Sequence, residues 1–236
     1  HVPDINDFTL GMKELLSAEG VITLEFPHLK ELIVNKQFDT IYHEHFSYLS
    51  LSTVDSIFQS ADLKIFNVEK IQTHGGSLRV YGAHISSSRD INPSVLKILK
   101  EERKLGMQSL DFYQSFQEES EIIKNEFLSF LLDCKKSGLS VAAYGAAAKG
   151  NTLLNYAGVK NDLIDFVCDA APSKQDKFLP GSHIPIVEPS QLESIESLDY
   201  LIIFPWNLSS EIIGSLRFLR ERGVKFVTAI PSLKIL

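Results

Sequence analysis

The sequence predicts an α/β protein, and three observations lead to that prediction. Short apolar runs of strand length alternate with segments of helical period, Gly or Pro residues separate many of them, and the alternation occurs in two series. A helical region lies between the two series. We therefore expect the second half of one Rossmann-like domain, a helical connector, and then a complete, doubly wound Rossmann-like domain.

The first series combines helical periods with strand-length runs. It closes on two alternating runs that should pair antiparallel across the turn His74-Gly75-Gly76. The expected helices cover residues 5–16, 29–34 and 52–61, and the expected strands cover residues 21–26, 64–73 and 77–85.

The middle region, residues 95–136, contains no Gly or Pro apart from Gly106 and should be largely helical. After Gly138, strands and helices bounded by Gly alternate, which predicts a parallel sheet covered on both faces. The expected strands cover residues 141–144, 164–168, 200–204 and 225–229, and the expected helices start at Asn151 and cover residues 209–222. We place the domain boundaries at residues 1–90, 91–137 and 138–236.

Composition and charge narrow the class of function. The formal charge of −7 is spread along the chain, and no Lys/Arg cluster forms the basic stripe that binds a nucleic acid backbone. The apolar runs are much shorter than the ~20 residues of a membrane-spanning helix. Cys134 and Cys168 form no C-x-x-C spacing. We expect a cytoplasmic protein with reduced thiols that binds neither nucleic acid nor a membrane and holds no metal.

The segment Tyr42-His43-Glu44-His45 places a phenol, a carboxylate and two imidazoles next to one another. In an extended backbone, Tyr42 and Glu44 would point to one side and the two imidazoles to the other. A metal site is not indicated, because no third ligand follows at a recognisable spacing. These residues alone are compatible with an active site or with a polar loop.

Two Gly-rich turns offer backbone amides to a ligand. The amides of His74-Gly75-Gly76, with Arg79 in the following strand, suit a phosphate or a sugar hydroxyl, and the glycines equally suit a plain hairpin turn. The turn from Gly145 to Gly150 resembles a dinucleotide fingerprint but has Ala at the second glycine position. A degenerate, substrate-facing unit is therefore favoured over an NAD site, and Lys149 with the helix N-terminus would receive an anion.

Three further features follow strands of the second series. Asp169 lies about where a dinucleotide-binding protein has its ribose-binding acid. Pro180-Gly181 and Pro205-Trp206-Asn207 should lie on the ligand-facing rim of the sheet, although turn chemistry alone would explain both.

Five stretches, in this order along the chain, resemble the S-adenosylmethionine (SAM)-dependent C-methyltransferases that methylate a ketosugar carried on a nucleoside diphosphate. They are F-D-T-I-Y-H-E-H-F-S-Y, H-G-G-S-L-R-V-Y, A-Y-G-A-A-A-K-G-N-T-L-L-N-Y, K-F-L-P-G-S-H-I-P-I and F-P-W-N-L-S-S-E-I. The resemblance extends over essentially all of the chain and implies three parts: a small zinc domain, a SAM-binding Rossmann-like domain and a second Rossmann-like domain.

The resemblance also implies that this chain is the later part of such an enzyme. His1-Val2-Pro3-Asp4 resembles the segment after the fourth strand of the SAM domain, so the zinc ligands and most of the SAM site would precede His1. Residues 1–90 would be the C-terminal half of the SAM-dependent methyltransferase domain, and residues 138–236 the C-terminal C-methyltransferase domain. The 236 residues alone would be inactive.

The family's Tyr-x-Glu-His pattern matches three residues, and the resemblance implies their roles in methylation α to the ketone. His45 would be the base, Glu44 would orient or polarise it, and Tyr42 would donate a hydrogen bond to the ketone or enolate oxygen. The expected substrate-binding residues are His1, His74, Gly76, Arg79, Lys149, Trp206 and Asn207. Two alternatives remain open, an NAD-dependent oxidoreductase that uses the Gly145 turn and a non-catalytic nucleotide-sugar-binding module.

Overall fold

The computed structural model describes all residues, 1–236, and divides into two compact units. Unit 1 consists of His1–Asn35 and His43–Phe116, and unit 2 consists of Lys36–Tyr42 and Gln117–Leu236. Each unit has its own sheet. The short segment Lys36–Tyr42 thus groups with unit 2, although its neighbours in sequence belong to unit 1.

Unit 1 contains a three-stranded antiparallel sheet and helices that pack on it. Its elements are α1 (Ile5–Leu15), β1 (Ile22–Pro27), α2 (Leu29–Val34), α3 (Leu51–Ser60), β2 (Leu63–Ile71), β3 (Ser77–His84) and α4 (Pro93–Lys104). The strand order is β1-β3-β2. Fully buried Leu51 and Phe58 of α3 pack with strand residues such as Leu63 and Leu78 in one core. Ser50 is the N-cap of α3, and its hydroxyl accepts the Thr53 N–H at 3.1 Å.

The expected antiparallel pair of β2 and β3 is present, and a 3₁₀ turn, Thr73–Gly75, joins the two strands. Gly75 and Gly76 have positive φ angles of 87° and 118°. A Cβ atom at Gly76 would lie 2.7 Å from Cγ of Glu31. The local geometry therefore requires glycine at this position.

Unit 2 contains a seven-stranded sheet with helices. Its elements are a 3₁₀ turn at Phe38–Thr40, α5 (Phe116–Lys136), β4 (Val141–Tyr144), α6 (Ala148–Ala157), β5 (Val167–Cys168), β6 (Lys177–Phe178), β7 (Pro185–Val187), α7 (Gln191–Ser194), β8 (Tyr200–Ile203), α8 (Ser209–Ser215), α9 (Arg217–Glu221), β9 (Lys225–Thr228) and β10 (Lys234–Ile235). The order is β10-β9-β8-β4-β5-β7-β6, with parallel inner pairings and antiparallel edge strands. The α/β, Rossmann-like fold class is confirmed.

The order of the strands reverses beside β4, which lies between β5 and β8. In open parallel sheets, ligands bind outside the carboxyl ends of the strands at such a reversal. The residues that follow β4 and β8 there are the Gly145 turn and Phe204-Pro205-Trp206. This edge of the sheet is therefore the place in unit 2 to look for a ligand site.

Several elements differ from the sequence-based expectation. The single helix expected over residues 209–222 is two helices, because Leu216 has non-helical angles of φ −105° and ψ 27°. The strand expected over residues 164–168 is reduced to β5. Helix α6 begins at Ala148 rather than Asn151, so Lys149 lies in its first turn. Helix α4 ends before Gly106, whose φ of 78° interrupts the long helical region.

Both cysteines, Cys134 and Cys168, are buried and free. Burial raises the pKa of the Cys168 thiol to about 12. No group of three or more His, Cys, Asp or Glu side chains is arranged to hold a metal ion. No helix combines the length and the apolar composition that crossing a membrane requires.

Candidate functional site

His45 lies half-buried in unit 1 against two other aromatic side chains. Its ring meets the His1 imidazole edge-on, with 5.0 Å between ring centroids, and the Tyr48 ring edge-on at 6.0 Å. The structure thus brings together His1 and His45, which were both singled out in the sequence. An imidazole that is partly exposed among polar aromatic rings is accessible for proton transfer with a small molecule.

The backbone of the motif that contains His45 is not extended. His43 and Glu44 form a turn, and Glu44 is exposed while Tyr42 is half-buried. The expectation that side chains alternate between two sides therefore does not apply to this segment. The division between the two units falls between Tyr42 and His43.

The predicted binding residues of the β2–β3 turn have partners inside unit 1. Arg79 Nη2 lies 2.9 Å from Glu25 Oε2, and Thr73 Oγ1 donates to the other oxygen of Glu25 at 3.0 Å. The Gly76 carbonyl accepts the His28 N–H at 3.0 Å, and His74 is exposed with a left-handed φ of 53°. These contacts explain the residues as parts of a hairpin, and their role in substrate binding stays a prediction.

Three predicted binding residues of unit 2 come together at the carboxyl ends of β4 and β8. Lys149 Nζ lies 2.9 Å from Asn207 Oδ1 and 4.2 Å from the centroid of the Trp206 ring. The second contact is a cation–π interaction. Burial lowers the pKa of Lys149, and the nearby Asp39 carboxylate opposes that shift. We call Asp39, Lys149, Trp206 and Asn207 the Trp206 cluster.

Asp39 completes this cluster, and the sequence reasoning missed it. Its side chain is 2% exposed, and Oδ2 accepts the Trp206 indole N–H at 2.7 Å. The other oxygen, Oδ1, is buried without a hydrogen-bond partner. Burial raises the pKa of Asp39 to about 6, against the hydrogen bond from Trp206 and the charge of Lys149. A signal was present, since Asp39 lies in the first of the five family stretches between Phe38 and Thr40.

The glycines of the turn after β4 are explained by packing within unit 2. Gly145 has a φ of 97°, and a Cβ atom there would lie 2.5 Å from the Pro205 ring. A Cβ atom at Gly150 would lie 2.6 Å from the Phe204 ring. In a dinucleotide site, glycines make room for the pyrophosphate. Here the rings of Pro205 and Phe204 occupy that room, so the turn does not favour NAD binding.

Asp169, at the position of the ribose-binding acid, is engaged by its own chain. Its Oδ1 accepts the Ala171 N–H at 2.9 Å, and its Oδ2 lies 3.1 Å from Lys174 Nζ. The carboxylate therefore organises the loop that follows β5.

Comparison with known proteins decides the family. Residues 72–231 match the family model described as the C-methyltransferase C-terminal domain, which is more than half of the chain. The chain belongs to the C-methyltransferase family. This C-methyltransferase chain is also 36% identical, over all 236 residues, to the C-methyltransferase NovU of Streptomyces niveus. It spans 56% of the length of that relative. The family expected from the five sequence stretches is confirmed.

Proposed function

We propose that the chain is part of an enzyme that uses SAM to methylate a carbon next to the ketone of a nucleoside-diphosphate-linked ketosugar. Membership of the C-methyltransferase family supports the transfer of a methyl group to carbon. The resemblance of the five stretches supports the sugar substrate. The observation that carries the proposal is the half-buried His45 imidazole against His1 and Tyr48, because this reaction needs a base beside the reacting carbon.

The protein has two tasks in this reaction. His45 accepts the proton from the carbon α to the ketone, and the electron pair of that C–H bond becomes part of an enolate. Tyr42 donates a hydrogen bond to the oxygen on which negative charge develops, and Glu44 orients or polarises the base. SAM supplies the methyl group, so that the new carbon–carbon bond forms as the sulfonium–methyl bond breaks.

We place the site of the methyl donor outside these 236 residues. The chain spans 56% of the relative's length, which leaves sequence in such a protein for a donor domain and for the expected zinc domain. Within unit 2, the turn after β4 does not fit the glycine-lined cradle of a dinucleotide such as NAD, because Pro205 and Phe204 pack directly on Gly145 and Gly150. Activity is therefore to be measured on the full-length gene product.

We assign the nucleotide-sugar to the edge of the unit 2 sheet that carries the Trp206 cluster. Lys149 provides a cation for a diphosphate, and it lies in the first turn of α6, where helix amides attract anions. The indole of Trp206 provides an aromatic face. The position at the reversal of strand order supports this assignment. Two buried, free thiols are compatible with the reducing cytoplasm, where we place the reaction.

The test of the proposed function is the substitution His45→Asn in the full-length gene product. We expect turnover of the nucleotide ketosugar to fall by a factor of ~10² to 10⁴, the usual contribution of a positioned base, while SAM binding persists. Tyr42→Phe should cost less, because water or a neighbour partly replaces one donor. Deuterium at the α-carbon should wash out without SAM in the wild type and be retained in His45→Asn.

The neighbouring exposed imidazole provides the matched control. His43→Asn should change turnover and washout by less than about twofold, since only the His at the fourth motif position is assigned a role. Unchanged washout and turnover in His45→Asn would remove His45 from the mechanism and leave Glu44 as the candidate base.

A further inference from the structure

The segment Lys36–Tyr42 is docked on unit 2, although it lies far from the rest of that unit in sequence. Its 3₁₀ turn, Phe38–Thr40, is buried at all three residues. The Phe38 ring meets the Tyr156 ring of α6 edge-on at 5.5 Å. The segment ends on Tyr42, the first residue of the motif to which the proposed function assigns the chemistry.

The hydrogen bonding of Asp39 in this segment is incomplete. One carboxylate oxygen accepts the Trp206 N–H at 2.7 Å, and the other is buried without a partner. A buried carboxylate with one unsatisfied oxygen costs free energy that an apolar residue of similar size would avoid. Stability alone therefore does not explain a carboxylate at position 39, and its contact to Trp206 points to another role.

Trp206 is contacted by opposite charges on two sides. The Asp39 carboxylate meets the electropositive N–H edge of the indole, and the Lys149 ammonium lies over its electronegative face at 4.2 Å. Lys149 is in turn 2.9 Å from Asn207. The indole thus connects the docked segment to α6 and to the residues that follow β8.

We propose that Asp39 is a positioning residue, which by accepting the Trp206 N–H fixes the segment Phe38–Tyr42 on unit 2 and so holds Tyr42 in place. Only Thr40 and Ile41 separate Asp39 from Tyr42, and a chain of that length spans at most about 10 Å. Motion at Asp39 is therefore passed on to the phenol. A misplacement of about 1 Å costs up to about 10²-fold in rate. The link to catalysis rests on the proposed function, whereas the anchoring of the segment does not.

The anchoring is testable in the 236-residue chain without any activity. Trp206 is the only tryptophan, so its indole N–H gives a single signal in a ¹⁵N-correlated NMR spectrum. In Asp39→Leu, which has a similar size but no acceptor, this signal should shift, and amide hydrogen exchange over Phe38–Tyr42 should rise by about tenfold or more. Asp162→Leu, at an exposed position of the same unit, should change neither.

A second variant removes the same contact from the other side. Trp206→Phe retains an aromatic ring but has no N–H to donate, and exchange over Phe38–Tyr42 should rise as in Asp39→Leu. This keeps the test decisive if one variant folds poorly. Exchange over Phe38–Tyr42 that stays at the wild-type rate in the folded variants would overturn the proposal.

The consequence for catalysis is measured in the full-length gene product. Asp39→Leu should lower kcat by about tenfold, a larger factor than any accompanying rise in KM for the nucleotide ketosugar. A merely structural residue would lower the unfolding midpoint and leave kcat unchanged well below that midpoint, which would overturn the positioning role. A raised KM at unchanged kcat would do so too, since it would assign Asp39 to substrate binding. A wild-type enzyme that methylates no nucleotide ketosugar would refute the proposed function, and the exchange experiment would still decide whether Asp39 holds the segment.

Discussion

Glu102 of unit 1 and Asp39 of unit 2 are both buried carboxylates, but their hydrogen bonding differs. Glu102 accepts from His28 Nε2 and the Leu51 N–H, both at 2.7 Å, and from the Ser52 N–H at 2.9 Å and the Ser52 hydroxyl. Burial alone raises the pKa of Glu102, but these hydrogen bonds outweigh it and hold the pKa below its ordinary value. Asp39 has one donor and an unpartnered oxygen, and burial raises its pKa to about 6.

The difference separates a carboxylate that stabilises the fold from one that does not. Glu102 of α4 accepts hydrogen bonds from two backbone amides in the first turn of α3. Amides in the first turn of a helix have no partner within the helix. The Glu102 side chain therefore links α4 to the start of α3. Asp39 places an ionisable group in a buried position where only one of its two oxygens accepts a hydrogen bond. Complete hydrogen bonding therefore indicates a structural role, and incomplete hydrogen bonding directs attention to function.

The largest effect should come from Glu102→Gln. The NH2 group of the new side chain would replace one acceptor oxygen and face the N–H of either Leu51 or Ser52, and we expect a loss of about 4 kcal/mol in the free energy of unfolding. The preceding residue is the matched control, because Glu101 makes a partly exposed ion pair with Lys70 at 2.7 Å. Glu101→Gln should cost less than about 1 kcal/mol in the same urea unfolding experiment. Equal losses in the two variants would show that buried Glu102 contributes no more to stability than a partly exposed ion pair.

The next effect concerns pH. The Asp39 carboxyl titrates at about 6 in the folded protein, against 3.8 as its ordinary value. The folded state then binds more protons between these values, so stability falls as pH rises through that window. Relative to Asp39→Asn, the wild type should lose about 2 to 3 kcal/mol of unfolding free energy between about pH 4 and pH 7. Lys149 is the charged group that faces Asp39, and burial lowers the pKa of its ammonium group.

The same measurement on Glu102→Gln should have the opposite sign. The folded pKa of Glu102 is lowered, so its contribution is present above the unfolded pKa and is lost as pH falls through the folded pKa. The advantage of the wild type over Glu102→Gln should therefore grow with pH. Parallel slopes for the two variants would contradict the contrast between the two carboxylates.

The smallest expected loss of stability comes from Gly145→Ala, which tests how tightly the turn after β4 is packed. Gly145 and Gly138 both have positive φ angles, 97° and 69°, but a Cβ atom would meet Pro205 at 2.5 Å in the first case and nothing within 4 Å in the second. Gly145→Ala should therefore cost about 1 to 2 kcal/mol more than Gly138→Ala, as judged by thermal unfolding. Equal costs would show that the turn yields easily, and would remove the packing argument against a dinucleotide at this turn.

Local patterns predicted the bounds of two elements closely. The strand expected over residues 141–144 is β4, and the helix expected from Ile5 ends within one residue of its predicted end, because a period and a cap are properties of neighbouring residues. The short strands β6, β7 and β10 were not predicted. Strands of two or three residues carry no period of their own and form because a partner strand lies beside them.

The α/β class, the two series of elements and the motif order that indicated the family could be read from the sequence, since all three depend on the order of residues along the chain. The contact of Asp39 with Trp206 across 167 positions, and the packing of Pro205 on Gly145, became visible only in the folded chain. The same holds for the finding that the Glu102 carboxylate is fully hydrogen-bonded and the Asp39 carboxylate is not. Burial and hydrogen bonding depend on distances between residues that are remote in sequence, and no local period contains those distances.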